Sequence, residues 1–229
     1  SSKGGQWAAW GLTDETLWAV NPALVIAHIS GYGQTGLESY ISRASFDPIA
    51  QAFSGIAYAN GDDNTPFFPI ADNVLDYYTA LFASTSCLSA YIRACRTGKG
   101  ESLDIAQYEC GLRTLCQYML QDIMEHNPER RSFWIAADLV AGTGNYKCKE
   151  GSLFIMSTGA AVAKRMATLL GFDYGSESFP ACGYAIYRAT EQGKQLEAAL
   201  LEMCAQHTAA EMDHILNKNR IPCSQVITY

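Results

Sequence analysis

Residues 70–80, IADNVLDYYTA, carry Asp72 and Asp76 four positions apart, directly after an aromatic, proline-bearing stretch, Pro66-Phe67-Phe68-Pro69. If the run beyond it is helical, the two carboxylates lie one turn apart on a single face. A carboxylate placed there has two uses. It can cap or charge-compensate the first helical turn, where the macrodipole favours an anion. It can also attack an acyl group as a nucleophile. Asp72 is a natural cap for a helix beginning at Asn73, and Asp76 is a natural first-turn acid. The local pattern therefore favours the structural use for both and leaves the catalytic one open.

Other residue types offer less. The histidines at 28, 126, 207 and 214 form no i, i+4 pair, and the eight cysteines form no C-x-x-C and no Cys/His ligand spacing. Neither a metal site nor a disulfide framework is indicated, and the thiols read as buried and reduced. No G-x-S-x-G occurs, which removes the Ser-triad hydrolase reading. GYGQTG, residues 31–36, follows an apolar run but has no evident partner acid, so it is not read as a dinucleotide fingerprint. Its glycines instead offer a backbone surface that a ligand can approach closely.

The elements that must hold these residues follow from periodicity. Residues 24–30, LVIAHIS, read as a buried strand breaking into the glycine loop. Residues 12–20 read as a short helix with Thr13 as its cap. From 76 to 96 the residues Tyr78, Phe82, Leu88, Tyr91, Ile92 and Cys95 recur at helical spacing, predicting a long, largely buried helix closed by Thr97-Gly98-Lys99-Gly100. A strand at 102–106 and a helix from 107 to about 125 follow. Alternation of strand and helix predicts an α/β domain over 1–126 with a parallel or mixed sheet. The charged, Pro-containing HNPERRS marks a linker at 127–137. A small α+β domain over 138–229 is expected beyond it. It has a hairpin turning at Glu150-Gly151 and helices at 160–170, 191–206 and 208–218, the last with Thr208 and Glu211 spaced as a capping box.

The totals bound the partners. The chain has 229 residues, 48% of them hydrophobic, and a net charge of −7, which does not suit a general nucleic-acid surface. No run of 18 apolar residues and no basic-then-apolar opening occurs, so no membrane span and no secretory signal are expected; the expected location is the cytoplasm.

Four ordered motifs, NPALVIAHISGYGQTG (21–36), FDPIAQAFSG (46–55), DYYTA (76–80) and TGKGESLDIAQYE (97–109), resemble those of the class III CoA-transferases, the family of formyl-CoA and carnitine CoA-transferases. The wording SKGG…GLTDETLW…NPALVIAHISGYGQTG is most similar to the crotonobetainyl-CoA:carnitine subgroup. The resemblance implies that residues 1–126 are part of a Rossmann-like CoA-transferase domain. It also implies a nucleophilic aspartate in a D-x-x-[ST]-G pattern ahead of a T-G-[KR]-G turn. Asp76-Tyr77-Tyr78-Thr79-Ala80 fits, with Ala80 in place of the usual glycine, and the segment beginning at Asp72 does not.

By the same resemblance Asp47 orients the nucleophile and Gly159 stands where some members carry a glycine-rich active-site loop; coenzyme A, entering as an acyl-CoA, is expected to contact Lys3, the loop residues Gly31, Tyr32 and Gly33, and Gly159. The carnitine-type members carry arginines where this chain has Ala9 and Trp10. The implied reaction moves CoA between carboxylic acids through an aspartyl anhydride and an aspartyl-CoA thioester, without a metal, in an interlocked homodimer. Loop backbone amides are the expected donors to the oxyanions. Carnitine- or crotonobetaine-like acids are the implied substrates.

Two alternatives accompany this reading. The α-methylacyl-CoA racemases share the fold but pair the aspartate with a histidine thirty residues earlier, where this chain has Phe46, which cannot move a proton. The resemblance also implies members of roughly four hundred residues, to whose middle part this chain corresponds. A truncated, inactive homologue that oligomerises is therefore the other alternative.

Overall fold

The branched run Val25–Ser30 forms strand β1 in the computed structural model, which describes residues 3–61, 64–115 and 139–227. The chain divides into two units, 1–131 and 132–229. The linker expected at 127–137, and the part of the 107–125 helix beyond Leu115, lie outside the described residues.

In the first unit, short helices α1 (Gln6–Ala9) and α2 (Asp14–Val20) precede β1. Thr13 caps α2, its side chain accepting from the Thr16 amide at 3.3 Å. Helices α3 (Glu38–Ile41), α4 (Asp47–Ser54) and α5 (Ile56–Ala59) come next, then the 24-residue α6 (Val74–Thr97), strand β2 (Glu101–Ala106) and α7 (Gln107–Thr114). Strands β1 and β2 pair in parallel from Val25↔Glu101 to Ser30↔Ala106, so both end level and hand their chains to the same edge. Residues 31–36 have the G-x-G-x-x-G spacing of a dinucleotide loop. They lead, however, into a four-residue helix rather than the long one whose N-terminus would hold a pyrophosphate.

Helix α6 corrects one expectation. Its buried residues are Leu75, Thr79, Ala83, Ala90 and Ala94, whereas Tyr78, Phe82, Leu88, Tyr91, Ile92 and Cys95 are exposed in this chain. Small side chains let the helix approach the sheet closely, with Ala83 packing against Ile105 and Cys110. From Tyr77 to Ile92 the helix carries no charge. Large apolar side chains that stand on several sides of a helix have no power to mark its inner face. Asp72 is a second correction: Asn73 occupies the cap position, and the Asp72 carboxylate accepts only locally, from the Asn73 amide at 2.8 Å, with φ at 77°.

The second unit is a three-stranded antiparallel sheet, β3 (Gly144–Lys147), β4 (Ser152–Ile155) and β5 (Cys223–Gln225), in the order β3-β4-β5. The hairpin turns at Gly151, whose φ of 78° favours a glycine. Strand β5 escapes sequence reading because three residues, Cys-Ser-Gln, carry no period. Helices α8 (Ala160–Leu169), α9 (Glu191–Gln206) and α10 (Ala209–Lys218) cover the core of Leu153, Ile155, Met166, Leu196, Leu200 and Met212. Thr208 and Glu211 form the reciprocal capping box, and these bonds hold the Glu211 carboxyl below its usual range.

Burial pushes the Cys204 thiol up to about 12, the neighbouring Cys148 adding to the shift, and burial also raises Cys148. At pH 8 a thiol of that pKa is about one part in ten thousand thiolate, the reactive form. An alkylating reagent at pH 8 is therefore expected to modify the exposed Cys95 and leave Cys148 and Cys204 intact, as read by peptide mass spectrometry. Stoichiometric labelling of Cys204 in the folded protein would contradict this.

Candidate active site

Strand β1 runs into Gly31 and β2 into Gln107, side by side at the carboxyl edge of the parallel pair, where the Tyr108 amide donates to the Gly31 carbonyl at 3.2 Å. In open parallel sheets this edge is where ligands bind. Asp76 stands at the third position of α6, within its first turn, with its side chain exposed. The Thr79 hydroxyl of the D-x-x-T pattern is buried and donates back to the Leu75 carbonyl at 2.6 Å.

The first amides of a helix lack partners within it, and a side chain usually supplies them from the cap position. In α6 that supply comes from another helix. Asp47, only 2% exposed, aims Oδ2 at the amides of Leu75 (2.6 Å) and Asp76 (3.0 Å). Its Oδ1 accepts from the Gln51 amide. Gln51, fully buried, accepts in turn from the Ile70 amide at 2.8 Å, tying the end of the Pro-Phe-Phe-Pro stretch to the same network. Asp47 thus meets the backbone of Asp76 rather than its carboxylate.

The carboxylate of Asp76 has a different partner, which sequence reasoning missed. Gln107, 7% exposed, donates from Nε2 to Asp76 Oδ1 at 2.5 Å, and its Oε1 lies 3.5 Å from the Ser45 hydroxyl. The available signal was positional: Gln107 is the first residue past the strand of the motif TGKGESLDIAQYE.

The remaining candidates are dispersed. Lys3 is exposed and lines, with Gly31, Ser30, Arg43 and Ser45, a concavity of about 220 Å3 that carries two cationic side chains. Gly31 is needed there for space, since a Cβ would fall 2.1 Å from that of Ser45. Gly33 has φ of 87°. The Gly33 amide donates to Ser30 Oγ at 2.9 Å and the Gln34 amide to Asp104 Oδ2 at 2.7 Å, so these loop amides are already engaged. The Tyr32 ring is buried, edge-on to Phe53 with centroids 5.0 Å apart. Trp10 is exposed and packs 6.5 Å from Trp7. Phe46, at the position of the racemase histidine, is 76% exposed. Gly159 belongs to the second unit, at the cap position of α8 with φ of 94°.

His28 ties α2 to β1 through Asp14 at 2.7 Å, and His207 contacts the Met203 carbonyl at 2.9 Å; His126 lies outside the described residues. Among the described residues no cluster of His, Cys, Asp or Glu could hold a metal ion, and no helix is long and apolar enough to cross a membrane.

The model of CoA-transferase family III matches residues 1–229. The bile acid CoA-transferase BaiK of Clostridium scindens (strain JCM 10418 / VPI 12708) is 37% identical over 242 residues, covering 100% of this chain and 53% of its own length. A CAIB/BAIF family protein from Brucella suis aligns with a TM-score of 0.72 at 26% identity, over 98% of this chain and 58% of that one. Rv3272 from M. tuberculosis aligns with a TM-score of 0.81 over 100% of this chain and 59% of that one; at 18% identity it bears on the fold alone. The chain therefore spans about half the length of the curated relative it matches, which covers 53%.

Proposed function

Because the chain belongs to CoA-transferase family III, matched from residue 1 to 229, we propose that it carries the nucleophile of an acyl-CoA:carboxylate CoA-transferase and that this nucleophile is Asp76. One observation carries the choice. Asp76 is presented on the first turn of α6, with its amide held by Asp47 and its carboxylate by Gln107, at the carboxyl edge of the parallel strands.

In the proposed cycle Asp76 Oδ2 attacks the thioester carbonyl of an acyl-CoA, the C–S bond breaks, and an anhydride forms with release of the CoA thiolate. The thiolate then attacks Asp76 Cγ and expels the donor acid. An incoming carboxylate reverses both steps and leaves as the new acyl-CoA. The charge is conserved at each step: a carboxylate is exchanged for a thiolate and back, and no proton or metal is required. Lys3 and Arg43 would hold an anionic part of the ligand at the concavity beside Gly31.

The acids exchanged are read as bulky and apolar. Phe46 beside Asp47, Tyr77 beside Asp76, and Ile70 are all exposed, which suits an apolar acid better than the trimethylammonium acid suggested by the carnitine-type wording. The name of the 37% relative points the same way. Racemisation is disfavoured, since Phe46 cannot exchange a proton. The test uses the full-length protein with a steroid-acid CoA thioester, a second carboxylic acid, and hydroxylamine as trap. Formation of the second CoA thioester and a hydroxamate at Asp76 are expected. Deuterium uptake at Cα of a 2-methylacyl-CoA in heavy water, without transfer, would establish the racemase reading instead.

A further inference from the structure

We infer that Gln107 is a catalytic residue: its amide Nε2 is the hydrogen-bond donor to the oxyanion that forms on the Asp76 carboxyl carbon when the CoA thiolate attacks it. The inference rests on the reading of Asp76 as the nucleophile and adds the group that stabilises its second step.

A carboxylate can only accept, so the end of Gln107 that meets Asp76 Oδ1 at 2.5 Å must be the NH2 group, leaving Oε1 toward Ser45. That orientation is held from several sides. Gln107 is 7% exposed, opens α7 at the end of β2, and is anchored by the bond from its neighbour Tyr108 to Gly31. An immobilised donor of this kind needs no reorganisation when charge develops on its partner.

Tracing the atoms gives the donor its task. Asp76 Oδ2 forms the bond to the acyl carbon, so Oδ1 becomes the carbonyl oxygen of the anhydride. The thiolate adds to Cγ, and the electron pair of that carbonyl moves onto Oδ1. Collapse of the tetrahedral species re-forms the carbonyl, breaks Cγ–Oδ2, and releases the donor carboxylate; the acceptor half-cycle passes through the same oxygen. The N–H that holds Oδ1 in the resting carboxylate is therefore in place at each oxyanion on Cγ. The glycine loop is a weaker source for this donor, because the Gly33 and Gln34 amides are committed to Ser30 and Asp104.

The test compares the full-length protein with Gln107→Met, which keeps side-chain length and removes the donor, and Gln107→Glu. For Q107M, kcat is expected to fall about a hundredfold, the range seen when one oxyanion donor is removed, with KM for acyl-CoA within about twofold. The rate of Asp76–CoA thioester formation, read by quenched-flow mass spectrometry, should fall in parallel. For Q107E, activity should be lost at pH 8 and recover at least about tenfold near pH 5, where a shared proton makes the new carboxyl a donor. A residue that only packs would leave thioester formation in Q107M at the parent's rate; if Q107M folds poorly, Gln107→Leu gives the same comparison, since Q107E also places a like charge beside Asp76.

A kcat within about threefold of the parent in Q107M, or a Q107E profile parallel to the parent's, would overturn the role of Gln107 and leave Asp76 as nucleophile. Persistence of the adduct in Asp76→Asn would instead overturn the underlying reading.

Discussion

Replacement of Asp76 by asparagine is expected to abolish the covalent CoA adduct and to lower transfer by at least about 10^4-fold, the scale on which loss of an essential nucleophile is felt. The substitution is close to isosteric. The oxygen of the introduced side-chain amide can still accept from Gln107, and the backbone amide at 76 still meets Asp47 at 3.0 Å, so the fold at the start of α6 is retained. The variant lacks the anionic oxygen that forms the anhydride, and a neutral amide does not replace it. The measurement is hydroxylamine trapping of the full-length variant with acyl-CoA, followed by peptide mapping. A hydroxamate at another carboxylate, Asp72 or Asp47 among them, would remove Asp76 from the mechanism.

The second large effect is expected on stability. Asp47→Ala removes a buried carboxylate that serves three donors: the amides of Leu75 and Asp76 and the side chain of Gln51. Unmaking one buried bond costs about 1–3 kcal/mol, and loss of a helix cap alone costs about 1 kcal/mol. With partial relief from water entering the gap, a net loss of about 3 kcal/mol is expected, seen as a lower urea midpoint with the slope unchanged. Asp47→Asn should be milder, because its oxygen can still cap α6, while its NH2 faces that of Gln51. Turning Gln51 around would relieve that clash at the cost of its bond from the Ile70 amide. Both variants should also slow transfer, since the first turn of α6 carries the nucleophile. A midpoint unchanged in Asp47→Ala would mean that the α6 amides find other partners.

Much of the chain was readable from local signals. Thr13 and Thr208 announce their helices because a cap and its amides lie within three residues of each other. The hairpin at Gly151 announces itself because the turn demands a positive φ. The order of motifs from 21 to 109 was enough to bring out the family, and the D-x-x-[ST] pattern that the resemblance implies separated Asp76 from Asp72.

Long-range relations were not readable in that way. Asp47 reaches the start of α6 across 28 positions, and Gln107 reaches Asp76 across 31. No periodicity encodes either relation; both depend on two parallel strands ending level and on α6 packing against both of them. The inner face of α6 was misread for a related reason, since large apolar residues occur on more than one side and the choice of alanines for contact with Ile105 is made by how closely the helix can approach the sheet. Residue types and short spacings thus determined which groups could do the chemistry and which elements would form. Tertiary packing alone decided that Asp47 caps rather than contacts the carboxylate, that Asp72 is a bystander at the turn, and that Gln107 holds Oδ1. Hydrogen bonds between distant segments depend on register and approach, which local sequence does not carry.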